Sequence, residues 1–82
     1  MKKLIGQGFD DHPEDDADRA RLSWTVSVLD DCEGCGDTRV ELILEELGRP
    51  GAGMTGHLSA ATARRLRADL ARALAEIGEP AG

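Results

Sequence analysis

From Leu22 to Leu47 apolar and polar residues alternate in two runs, separated by the acidic loop Asp30 to Asp37. In the first run Trp24, Val26 and Val28 fall on one side, and Ser23, Thr25 and Ser27 on the other. In the second, Val40, Leu42 and Leu44 alternate with Arg39, Glu41, Ile43 and Glu45. A period of two belongs to a half-buried strand, so the two runs predict an antiparallel hairpin with one wet face. Turn chemistry follows in Gly48-Arg49-Pro50-Gly51-Ala52-Gly53, and Met54 to Leu58 offer a short third strand. The period then changes to 3.6, placing Ala63, Leu66, Leu70, Ala73, Leu74 and Ile77 on one stripe. Ser59 is a good N-cap, Gly78 stands where a C-terminal cap glycine belongs and Pro80 follows, which predicts a helix from about Ala60 to Ile77.

The resulting fold class is α+β: a small antiparallel hairpin or three-stranded sheet covered by one C-terminal helix. The expected core sets Trp24, Val26, Val28, Val40, Leu42 and Leu44 beneath Leu66, Leu70, Leu74 and Ile77. Residues 1–21 contain glycines, Pro13 and the acids Asp10, Asp11, Glu14, Asp15, Asp16 and Asp18. So little apolar surface does not offset the entropy of ordering, and the segment reads as a flexible acidic arm. Residues 22–78 then form the folded unit, with 79–82 as a tail.

Length and charge sharpen this picture. A chain of 82 residues makes one domain with a meagre core, and small domains commonly rely on a metal, a disulfide or a second subunit. The net charge of −6 argues against autonomous nucleic-acid binding, which needs a basic footprint. Residues 22–48 carry seven acids and one base (−6), whereas residues 49–82 carry three acids and five bases (+2). Hairpin and helix therefore attract each other, within one chain or between two. No signal-peptide core or membrane-length apolar run is visible, so the expected location is cytoplasmic. There, two cysteines are free thiols or metal ligands more often than a bridge.

Cys32-Glu33-Gly34-Cys35 has the spacing of half a zinc knuckle. The remaining ligands would have to come from distant segments, His12 or His57 being the candidates. Redox chemistry is disfavoured because Asp30, Asp31, Glu33 and Asp37 oppose thiolate formation. Counted from Asp31, a calcium loop would need glutamate where Leu42 stands. The glycines between Gly48 and Gly56 mimic phosphate-binding motifs, but Met54 replaces the required lysine and there is no room for a dinucleotide fold. No histidine is placed beside Ser23, Ser27 or Ser59, so no nucleophile is activated. The residues thus predict a protein that is not an enzyme and requires no cofactor, with zinc held by Cys32 and Cys35 as the alternative.

Several stretches in this order resemble a known family. They are Thr25-Val26-Ser27-Val28-Leu29-Asp30-Asp31, Glu33-Gly34, Val40-Glu41, and Leu58-Ser59 with Ala63, Leu66-Arg67 and Asp69-Leu70. From Thr25 to Leu74 the chain is similar to the N-terminal dimerisation domain of the actinobacterial H-NS-like nucleoid-associated silencers. In that family the domain pairs with itself through strands and helices, and a separate C-terminal domain inserts an Arg-Gly-Arg hook into AT-rich minor grooves. The hook has no counterpart here, and the acidic arm, the two cysteines and the longer glycine turn are further departures. The resemblance therefore implies the association half alone: a homodimer that modulates assembly of a nucleoid-associated silencer without touching DNA or membrane. A zinc-stabilised binding module and an accessory protein of unspecified role are the alternative expectations.

Overall fold

A computed structural model describes residues 2–13, 20–30, 34, 36–49 and 51–80. Among these, four strands, β1 (Lys2–Phe9), β2 (Leu22–Leu29), β3 (Arg39–Glu46) and β4 (Gly53–Leu58), precede one helix, α1 (Ala60–Glu76). The strands form one antiparallel sheet in the order β1-β2-β3-β4. The chain is therefore α+β, with four strands where the sequence predicts two or three.

The central hairpin pairs as its alternation requires. Trp24 stands opposite Leu44, Val26 opposite Leu42 and Val28 opposite Val40, which puts six apolar residues on one face, called the front here. The third strand is β4, aligned with β3 from Val40 opposite Leu58 to Glu45 opposite Gly53. Gly48 and Gly51 take positive φ angles of 83° and 86° in the connecting turn, a region glycine enters without steric cost.

The N-terminal segment corrects the sequence reading. Residues 2–9 are not an arm but the strand β1, antiparallel to β2 along its whole length. Two glycines and one bulge explain why the alternation is hard to see. Leu4 pairs with Ser27 and Gly6 with Val26, so Ile5 is an extra residue that shifts the register by one. The shift brings Gly6 and Gly8 to the front, beside Trp24, whose indole covers Gly8. Asp10 and Arg21 close the strand pair: Asp10 N–H donates to the Leu22 carbonyl at 2.9 Å. Leu22 N–H donates to Asp10 Oδ1 at 3.1 Å, and Arg21 donates to the Asp10 carbonyl at 3.2 Å. The folded unit thus begins at Lys2 and not at Leu22. The acids Glu14, Asp15, Asp16 and Asp18 lie outside the described residues.

The helix starts and stops as the sequence predicts. Ser59 Oγ accepts from Thr62 N–H at 3.2 Å. At the other end Gly78, with φ 79°, allows Glu79 N–H to reach the Leu74 carbonyl at 2.9 Å and Gly78 N–H the Ala75 carbonyl at 3.1 Å. That double closure caps carbonyls the helix leaves open. Arg72 pairs with Asp69 one turn away.

The helix does not roof the sheet within one chain. It approaches β3 and β4 and neither β1 nor β2, and none of its residues is buried. Leu70 is 59% exposed and Ile77 73%, with Leu66 and Leu74 exposed as well. The expected burial of sheet residues beneath this stripe is therefore only partial: Val26, Val28, Val40 and Leu42 are half-buried, and Trp24 and Leu44 remain exposed. The physical reason is width. A helix about 10 Å across covers two strands spaced about 4.8 Å apart, not four. Among the described residues Leu29 is the one large apolar side chain that is buried.

Candidate functional site

Two places concentrate chemistry, one on each face of the sheet. On the back, Leu4, Ser27, Glu41 and His57 stand in one row across the four strands. Glu41 is its centre. Lys2 Nζ approaches Glu41 Oε1 to 2.7 Å, and His57 Nε2 stands 3.2 Å from Glu41 Oε2, a hydrogen bond when that nitrogen carries the proton. The face read as wet therefore holds two of the most buried residues, Ser27 at 1% and Glu41 at 7% exposure. The adjacent Lys2 ammonium is the largest influence on Glu41 and, with the hydrogen bond from His57, holds its carboxyl below the ordinary value of 4.5 against the opposing effect of burial.

This row has the residue types of a nucleophilic triad in the wrong order. Activation requires the base beside the hydroxyl and the carboxylate behind the base. Here Glu41 separates Ser27 from His57, and Ser27 is closed to a substrate. What the geometry provides is a carboxylate tied to β1 through Lys2 and to β4 through His57, so one side chain links three strands. Alternation places Glu41 on this face, but no local signal identifies its partners.

His57 was also a sequence candidate for a metal. Its Nε2 faces Glu41, and among the described residues no three histidine, cysteine, aspartate or glutamate side chains converge. Cys32 and Cys35, the other metal candidates, lie outside the described residues.

On the front the association residues come together in part. Val26, Val40, Leu42 and Leu58 from the sheet and Ala63, Leu66, Arg67 and Leu70 from the helix line an open apolar cleft of about 160 Å³. Leu74 and Ile77 do not line it. Met54, 76% exposed, continues this face on β4 opposite Leu44. The sequence reading assigned Met54 and Leu58 to a strand without giving them a role. Their apolar alternation with Thr55 and His57 was the available signal.

No protein-family model matches the chain, and neither does any curated protein or solved structure. Among the described residues no helix is long and apolar enough to cross a membrane.

Proposed function

We propose that this chain is a non-enzymatic association module that pairs with a second copy of itself through its uncovered front surface. The supporting observation is the exposure of Trp24, Leu44 and Met54 on one side of the sheet, together with Leu66 and Leu70 of α1 and Ile77 at its C-terminal cap. Large apolar groups left in water on one side of a small domain mark a surface meant to be covered. Half the front lies beyond the reach of the chain's own helix. A second copy suits the vacancy because residues 22–48 sum to −6 and residues 49–82 to +2, so the helix of one copy is drawn to the hairpin of another. By the family resemblance, the same surface would also engage the association domain of a nucleoid-associated silencer and occupy it without a DNA anchor.

Light scattering after size exclusion tests the pairing. The assembly should weigh at least twice the chain mass of 8.7 kDa, and the double substitution Leu70→Glu/Ile77→Glu should lower that mass. A mass of one chain at high micromolar concentration removes the proposal. Capture of a silencer on the immobilised wild-type chain, lost in the double variant, tests the second partner.

A further inference from the structure

We infer that the free edge of β4 is a second self-association surface, onto which β4 of another copy adds antiparallel about a two-fold axis at Gly56, continuing the sheet from four strands to eight. This goes beyond front-surface pairing, because it uses backbone groups at the rim of the sheet and not side chains on its face.

The two rims of the sheet are not alike. A strand edge presents unpaired N–H and C=O groups to any passing strand, and proteins blunt such edges with bulges, lysines or prolines. At β1 the extra residue Ile5 breaks the register and Lys3 adds a charge. At β4 there is neither. Gly53-Met54-Thr55-Gly56-His57-Leu58 has no lysine, arginine, acid or proline and keeps unbroken register with β3 over all six pairs. Among the described residues no strand pairs with its outer side.

The segment is also complementary to itself. Directly opposed residues of antiparallel strands share a face, so an axis at Gly56 sets Thr55 beside the partner's His57 and Met54 beside the partner's Leu58. No acid meets an acid and no lysine or arginine is present. Met54 gains an apolar neighbour on the front. A β-carbon built at Gly56 meets nothing within 4 Å, so the front above the axis has room for a side chain at this position.

The helix fits the same arrangement. It follows β4 after the single residue Ser59 and approaches only β3 and β4, the half of the sheet next to the axis. With strands about 4.8 Å apart, a helix above the β3–β4 seam lies one spacing from the axis, and two such helices lie about 10 Å apart, a normal packing distance. Leu66 and Leu70 line the cleft that reaches Val26 of β2. The opposite flank of the helix, at seven-residue spacing, carries Ala61, Ala68 and Ala75, small enough to admit a neighbour. Two separate self-complementary surfaces on one chain build assemblies larger than a dimer.

Engineered cross-linking in the full chain tests the edge. In a Cys32→Ser/Cys35→Ser background, Gly56→Cys should form an interchain disulfide on air oxidation, since directly opposed α-carbons lie about 4.5–5.5 Å apart. Thr55→Cys should not, because in this register it meets itself diagonally at about 7–8 Å, beyond disulfide reach. Hydrogen exchange on the wild type provides a measurement independent of any variant: the alternate amides of residues 53–58 that point away from β3 should exchange at least about tenfold more slowly in concentrated than in dilute protein. Cross-linking at Thr55→Cys instead of Gly56→Cys, or concentration-independent exchange at 53–58, overturns the inference. If the assembly is nonetheless larger than one chain and shrinks with Leu70→Glu/Ile77→Glu, front-surface pairing stands alone. A monomeric wild type removes both.

Discussion

The indole of Trp24 lies over Gly8 so closely that a β-carbon at position 8 would sit 2.5 Å from ring atom Cζ2 and 2.7 Å from Cε2. A glycine facing an aromatic ring across a strand pair replaces the missing side chain with ring contact. Gly8 is thus the seat of the one tryptophan, and β1 is held to the sheet through it. Gly8→Ala should destabilise the fold by about 1–3 kcal/mol through overpacking. Gly6, whose nearest ring atom would be 4.0 Å from a β-carbon, has room for alanine and should cost less. Urea unfolding followed by tryptophan fluorescence compares the two.

Lys2 and Glu41 tie the outer strand to the third across β2, and the pair makes stability depend on acid. Because the folded carboxyl is held below its ordinary value of 4.5, its contribution is complete above that value and is lost as pH falls through the lowered one. Glu41→Gln should therefore melt lower than wild type by a constant margin above about pH 5, and the margin should shrink at more acid pH. A margin that widens on acidification would contradict the ion pair. Lys2→Met, which leaves the carboxylate without its strongest partner, should cost about 1–2 kcal/mol at neutral pH.

Ser59 supplies the oxygen that opens α1. Ser59→Ala should cost about 1 kcal/mol, and Ser59→Asp should retain most of the stability because its carboxylate caps equally well. Thermal melts read by helical circular dichroism measure both.

Ile77 contributes little to the folded chain by itself, being exposed in it. At dilutions where the wild type is monomeric, Ile77→Glu, at a residue 73% exposed and outside the cleft, should change unfolding free energy by no more than about 0.5 kcal/mol. In concentrated protein the wild type should gain melting temperature with concentration, as linkage to association requires, and the variant should not. Scanning calorimetry across a concentration series checks this.

The legible parts were those governed by neighbours in sequence. Alternation from Leu22 to Leu47 gave the two strands of the central hairpin and the apolar face they share, and Ser59, Gly78 and the 3.6-residue period gave both ends of α1. The strand β1 was missed because Gly6 and Gly8 carry no side chain to alternate and the bulge at Ile5 interrupts the period. A Gly-x-Gly in a short apolar run, with a tryptophan on a later strand, was the available clue.

Composition and period by themselves determined the elements of the central hairpin, the cap residues and the opposite charges of hairpin and helix, since these follow from local sterics and from counting. Tertiary structure alone decided that Glu41 meets Lys2 and His57, that Trp24 rests on Gly8, and that the helix spans two strands of four. Those outcomes depend on the order and register of strands distant in sequence and on how far one helix reaches, quantities that no local pattern encodes.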